Sequence, residues 1–275
     1  LRLGFSYLDR TPVMTADFIT KNLSLTHTQY FGFDSQGHSS PLLSATTAVA
    51  IAVSSFVYGI DSEVTTETSI KTKSHSKPLL AQAQKGAVRK LLYQLIFEKM
   101  KDWVFIYTQA NKVNLLKTNG LRLLENRYPY RLLPFNYYVC FTHSANKVAC
   151  AIHSDKVIGV DLEANPVSMK VAERYYTLQE KLWLSQLDTD SLPKALKLLW
   201  MLKEASIKHS AASSPHLLSG LKEDKLMAAQ ELLPVSTKER DIKTPEQIYC
   251  YQNSTDLENS TTYVYIAAES LVAIW

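Results

Sequence analysis

Three β-rich runs follow one another between Phe135 and Leu162 with almost nothing between them, and this constrains the fold more than any other feature of the chain. Phe135–Thr142 is separated from Lys147–His153 by the turn Ser144–Asn146, and Ser154–Lys156 leads into Val157–Leu162. Parallel neighbours need a crossover of roughly a dozen residues, so connections this short predict antiparallel neighbours, here a three-stranded meander. The first and third strands of a meander run the same way and end on one rim. That rim receives Thr142-His143-Ser144 from the first strand and Asp161-Leu162-Glu163 from the third.

Asp161 and Glu163 stand two apart on a strand and therefore share a face. Adjacent carboxylates are costly unless they are solvated, protonated or joined by a cation. A hard divalent ion suits them, since magnesium takes one or two carboxylates together with waters and phosphates. A solvated strand end is the plain alternative. A third element adds weight: in Trp200-Met201-Leu202-Lys203-Glu204-Ala205-Ser206-Ile207-Lys208, Glu204 and Lys208 share a helix face with Trp200. On a solvated helix this would be an ordinary ion pair. The neighbours Leu198, Leu199, Met201 and Leu202 predict a largely buried helix, on which charges need a partner or a ligand. A third carboxylate for a metal, beside an ammonium for a phosphate, accounts for both.

Elsewhere, Leu1–Asp9 reads as a strand with a turn at Thr11–Pro12, Ser62–Ser76 as a surface loop, Leu79–Met100 as a helix and Trp103–Gln109 as a strand. Lys117–Pro134, with Gly120 and two prolines, reads as a connecting segment. It divides the chain into an N-terminal half, residues 1–125, and a C-terminal half, residues 126–275. Thr177-x-x-Glu180 is a capping box that opens a helix. Pro193 precedes another helix over Lys194–Lys208, which Ser210–Pro215 breaks. Ile248–Tyr251, Thr262–Ala267 and Leu271–Ile274 read as closing strands.

Composition enters by exclusion. At 46% hydrophobic with a net charge of +4, the chain is neither disordered nor endowed with the clustered basic excess of a dedicated nucleic-acid binder. A pI near 8.8 suits an anionic small ligand. The uncharged Leu42–Ile60 is 19 residues long, but five of them are hydroxyl residues, which favours buried core over a membrane span. Cys140, Cys150 and Cys250 lie in apolar runs without zinc spacing and read as buried free thiols. With Leu1–Asp9 lacking a basic leader, they predict a cytoplasmic protein. His153, His209 and His216 show no ligand spacing.

Taken in order, Thr142-His143-Ser144, Gly159-Val160-Asp161-Leu162-Glu163 and Trp200-x-x-Lys203-Glu204-Ala205-x-x-Lys208 resemble the motifs of the 4'-phosphopantetheinyl transferases of the Sfp type. Arg174-Tyr175-Tyr176-Thr177-x-x-Glu180 is similar to the segment that family carries between its acidic motifs, and Leu1–Arg10 to its opening strand. The matches cover about Asn126–Lys208. The resemblance implies an α+β fold, a pseudo-dimer of two similar halves, each a small, largely antiparallel sheet packed with helices, with coenzyme A between them. It implies transfer of 4'-phosphopantetheine from coenzyme A to a serine of an acyl or peptidyl carrier protein, releasing 3',5'-ADP. A chain whose two halves build their own cleft suits a monomer, and its composition predicts no nucleic-acid or membrane partner. By the same resemblance Asp161, Glu163 and Glu204 hold Mg²⁺, and Glu204, directly or through water, is the candidate base for the carrier serine. Lys208 neutralises the attacked phosphate, His143 contacts coenzyme A phosphates, and Thr142 and Lys203 are further candidates for the same anion.

The chain departs from the family in two places. Asn126-Arg127-Tyr128-Pro129 stands where a Gly-Lys-Pro is common, which makes Arg127 the candidate for the lysine's role, and Ala211–Pro215 replaces a Gly-rich continuation. Lys71, Lys73, Lys77, Lys85 and Arg89 are the first-half candidates for the 3'-phosphate. Gly59-Ile60-Asp61-Ser62-Glu63 echoes the acidic motif but has no Trp-x-x-Lys-Glu partner in its half. Two rival functions fit the same residues: a Mg²⁺-dependent nucleotide phosphohydrolase, and a non-catalytic relative that binds carrier proteins.

Overall fold

The structure, a computed structural model, describes residues 23–40, 43, 47–58, 76–111, 121–210, 221–233, 248–253 and 260–275, with backbone alone at 76–79 and 101–111. Leu1–Asp9, Thr11–Pro12, the loop at 62–75, the echo at Gly59–Glu63, Lys71, Lys73, His216 and Ala211–Pro215 lie outside these residues. In chain order the elements are β1 (Leu23–Phe33), β2 (Ser39–Ser40), β3 (Val49–Tyr58), α1 (Ser76–Asn111), β4 (Arg122–Leu124), β5 (Tyr130–Leu133), β6 (Tyr137–Ser144) and β7 (Lys147–His153). There follow β8 (Gly159–Leu162), α2 (Met169–Tyr175), α3 (Leu178–Leu184), α4 (Leu192–Ser210), α5 (Leu226–Leu232), β9 (Ile248–Asn253), β10 (Thr261–Ile266) and β11 (Leu271–Ile274). The class is α+β, as expected, with antiparallel pairing throughout the described ladders.

Two sheets form, one of order β2-β1-β3-β7-β6-β5-β4 and one of order β8-β11-β10-β9. Strand alternation builds the layers. On β3, Ala50 and Ala52 face Ala87, Leu91 and Leu95 of α1, whereas Val49, Ile51 and Val53 face the second sheet, against Val160, Leu162, Leu271 and Ala273. The outer face of the second sheet, with Tyr263, Tyr265, Val272 and Ile274, packs on Leu198, Leu199 and Leu202 of α4. The layers therefore run helix, sheet, sheet, helix.

Several expectations are corrected. Trp103–Gln109 continues α1 as helix and is not a strand. The segment taken as a connector contributes two strands, β4 and β5, to the first sheet. The third run of the meander does not join β7, because β7 is already flanked by β3 and β6; β8 instead pairs with β11 in the other sheet. Apart from these corrections, β4 pairs with β5 and β3 with β7 across the 125/126 division, so strands from both sides of it enter one sheet. Cys140 and Cys150 are buried, but Cys250 on the outer strand β9 is exposed. Among the described residues no helix is long and apolar enough to cross a membrane, and the core of the uncharged 42–60 stretch is the buried strand β3.

Candidate active site

Although β8 leaves the meander, the two motifs still meet, through side chains. One edge of β8 pairs with β11. On the other edge the N–H groups of Val160, Leu162 and Ala164 donate to Cys140 Sγ (3.4 Å), Thr142 Oγ1 (3.3 Å) and Ser144 Oγ (3.1 Å) on β6. Positions 140, 142 and 144 share one face of β6, so their side chains follow the two-residue step of the opposing N–H groups. Each hydroxyl, having accepted an N–H, donates its own proton onward. Thr142 Oγ1 donates to Asp161 Oδ1 at 3.0 Å and Ser144 Oγ to Glu163 Oε1 at 2.6 Å. The N–H of Asn165 also donates to Glu163 Oε1, at 2.8 Å.

The other wall is α4. Gly159 is what brings β8 against it: a Cβ there would lie 2.0 Å from the Ala205 carbonyl oxygen and 2.7 Å from the His209 nitrogen. Only glycine permits so close a backbone approach. Lys208 can then reach over, its Nζ donating to the Val160 carbonyl at 2.9 Å and to Asp161 Oδ1 at 2.8 Å. Glu204, one turn earlier on the same helix, is half-buried.

Charge is unbalanced in this corner. Burial, and then the negative charges of Asp161 and Glu163, hold the Glu204 carboxyl above the usual carboxylate range, against the pull of Lys208. Burial also raises Asp161, with Lys208 and Thr142 opposing. Burial works against the Lys208 ammonium, yet Asp161, Cys140 and Glu204 together offset it and leave the amine above its ordinary value. His143, on the opposite face of β6 from Thr142 and Ser144, is exposed. Desolvation, with Lys208 second, sets its pKa below the ordinary value. Among the described residues no three His, Cys, Asp or Glu side chains form a ready metal cage. The donor set nevertheless fits a hard divalent cation by its chemistry. It is all carboxylate, Asp161 and Glu163 raise the pKa of Glu204, and among the described residues no hydrogen bond reaches Asp161 Oδ2.

The structure thus brings Thr142, Ser144, Asp161, Glu163, Glu204 and Lys208 together. It does not bring Lys203. That side chain is fully buried and turned away from the acidic corner, with Nζ 2.9 Å from Glu180 Oε2 and donating to the Glu223 carbonyl at 2.6 Å. Burial lowers its pKa against the opposing pull of Glu180. Arg127 is exposed in the β4–β5 connection. Arg89 is engaged with Glu125, at 2.6 Å and 3.2 Å, and Lys85 is exposed. The sequence reading missed the β6 ladder, whose signal is the matched two-residue spacing of Cys140, Thr142 and Ser144 against Val160, Leu162 and Ala164.

Residues 157–257 match the family model of the 4'-phosphopantetheinyl transferase superfamily. The chain is also 30% identical over 125 residues to "4'-phosphopantetheinyl transferase gsp" of Aneurinibacillus migulanus, a stretch covering 45% of this chain and 48% of that protein. The chain therefore spans about half the length of the curated relative it matches. The matched region begins just before β8, contains every carboxylate and the ammonium of the corner built above, and is what the chain shares with the 4'-phosphopantetheinyl transferase superfamily.

Proposed function

We propose that the protein transfers 4'-phosphopantetheine from coenzyme A to a serine of an acyl or peptidyl carrier protein, releasing 3',5'-ADP, with Mg²⁺ as cofactor. The observation that carries this reading is the contact of Lys208 with Asp161 at 2.8 Å, beside Glu204 and Glu163, inside the region that matches the superfamily. Asp161, Glu163 and Glu204 are the residues that would hold the metal, and in such a displacement a bound metal offsets charge on the pyrophosphate oxygens. Glu204, held above the ordinary carboxylate range, is a suitable acceptor for the serine proton. The serine oxygen bonds to the pantetheine-side phosphorus, the bond from that phosphorus to the bridging oxygen breaks, and the bridging oxygen leaves with 3',5'-ADP. Lys208 leaves its Asp161 contact for the attacked phosphate, while His143 and the Thr142 backbone on β6 and Arg127 from the β4–β5 connection meet the anionic substrate. Lys203 acts from behind, as the buried partner of Glu180. Catalysis of this kind rests on positioning and charge stabilisation. We place the chemical groups in residues 126–275, assign further coenzyme A contacts to residues 1–125, and read the protein as a cytoplasmic monomer.

The test is mass spectrometry of an apo carrier protein incubated with this protein, coenzyme A and Mg²⁺, beside EDTA and Asp161→Ala controls. The expected result is a mass gain of one phosphopantetheine, lost in both controls. Carrier binding without modification would favour the non-catalytic relative. Hydrolysis of coenzyme A without a protein acceptor would favour the phosphohydrolase.

A further inference from the structure

We infer that Thr142 and Ser144 are positioning residues whose hydroxyls set the metal-binding carboxylates Asp161 and Glu163; the inference rests on the transferase reading of this site. Hydrogen-bond direction carries the argument. The N–H groups of Leu162 and Ala164 have only a proton to give, and they give it to Thr142 Oγ1 and Ser144 Oγ. Each hydroxyl proton is thereby committed to a carboxylate, Asp161 Oδ1 at 3.0 Å and Glu163 Oε1 at 2.6 Å. The same unit, backbone N–H to hydroxyl to carboxylate, occurs twice in register. Both hydroxyls belong to the first sheet, while Asp161 lies in β8 of the second and Glu163 directly follows it. The hydroxyls are buried, Thr142 at 4% and Ser144 at 8% exposure. Thr142 Oγ1 is therefore engaged twice within the protein and serves the site through Asp161. The rung one step earlier is a built-in control: Cys140 Sγ accepts the Val160 N–H, but no carboxylate follows it.

Groups that orient metal ligands typically contribute 10–100-fold to metal affinity. Mn²⁺ binding to the full chain without coenzyme A, followed by the electron paramagnetic resonance of free Mn²⁺, reads this directly. Ser144→Ala should bind Mn²⁺ about 10–100-fold more weakly, and Thr142→Val should weaken it in the same direction. Ser144→Thr, which keeps the hydroxyl, should restore binding. Cys140→Ala should lower the melting temperature without altering Mn²⁺ affinity. In transfer assays the Ser144→Ala defect should appear as a raised Mg²⁺ requirement that saturating metal relieves. Unchanged affinity in Ser144→Ala, or equal weakening by Cys140→Ala, would overturn the positioning role while leaving the transferase reading intact. Absence of Mn²⁺ binding by the wild-type chain would also overturn the positioning role, whereas the transferase reading stands or falls on the modification of the carrier protein.

Discussion

Lys203 and Glu204 are neighbours in sequence with opposite fates, and helical geometry decides which is which. Leu196, Leu199, Lys203 and Ser206 form one buried stripe of α4, while Trp200, Glu204 and Lys208 form the next, half-exposed one. The first stripe was legible as a 3–4 spacing, but a lysine in it reads as a charge seeking an anion until Glu180 is seen opposite. Sequence identified Glu180 as a capping residue, correctly, since its Oε2 accepts the Thr177 N–H at 2.8 Å. It could not reveal that the same oxygen faces Lys203 or that Oε1 takes the Lys225 N–H. Lys203→Met leaves that carboxylate buried without its cation and should cost about 3–5 kcal/mol by urea denaturation. A loss under 1 kcal/mol would mean that Glu180 has another way to be neutralised. His153 supplies a pH-dependent counterpart. Its Nδ1 accepts the Asp155 and Lys156 N–H groups, at 2.9 and 3.0 Å, so it must be unprotonated, and burial brings its pKa from 6.5 to about 4. With the folded value below the unfolded one, its contribution is full above pH 6.5 and is lost as pH falls towards 4, on the order of 3 kcal/mol. His153→Asn keeps an acceptor for the turn without a comparable titration. The difference between wild type and variant stability should therefore shrink by about that amount between pH 7 and pH 4.

Among the elements, local signals lie in the sequence and competition for partners does not. The β6–β7 hairpin, the capping box, the α4 helix and the three closing strands follow from spacing, turn residues and caps, and the structure places them within a few residues of expectation. The assignment of β8 failed because a short connection licenses pairing with β7 without revealing that β3, some hundred residues earlier, already holds that edge. Trp103–Gln109 misled in another way: its aromatic and β-branched residues favour strands locally, yet it continues a helix already under way, and extension costs less than nucleation. The acidic corner remained legible because the ladder from β6 brings β8 to the same rim that pairing would have used. Its dependence on close element packing gives a sharp expectation for Gly159→Ala. A Cβ at 2.0 Å from the Ala205 carbonyl must separate β8 from α4, which lengthens the Lys208 contacts with Val160 and Asp161. Overpacking of this kind should cost about 3 kcal/mol. Carrier modification should fall further than that stability loss explains, when compared at a temperature where the variant is still folded. Wild-type stability in Gly159→Ala would show that the helix can yield without consequence.

For the whole molecule, the site is assembled from three of the four layers: hydroxyls from the first sheet, carboxylates at the end of a strand of the second, and Glu204 with Lys208 from the outer helix. Anything that lets the sheets part therefore unmakes the chemistry, and the apolar layer between them ties function to global stability. Trp275 is the largest side chain in that layer. It is 1% exposed, meets Phe33 of β1 with ring centroids 5.9 Å apart and His153 of β7 at 6.4 Å, and donates from Nε1 to the Ser35 carbonyl at 3.2 Å. Its backbone meanwhile pairs with Thr262 of the second sheet, so one residue ties that sheet to the β1–β2 turn of the first. Removing a buried tryptophan typically costs 3–5 kcal/mol, and Trp275→Ala should lose about that, with Trp275→Phe losing less. Because both sheets share this core, far-ultraviolet circular dichroism and residual carrier modification should fall together in urea for wild type and variant alike, the variant's midpoint being lower. If modification were lost well before the circular dichroism changed, the outer helix and β8 would be opening on a sheet that stays folded. The layer between the sheets would then bound two cooperative units instead of joining one.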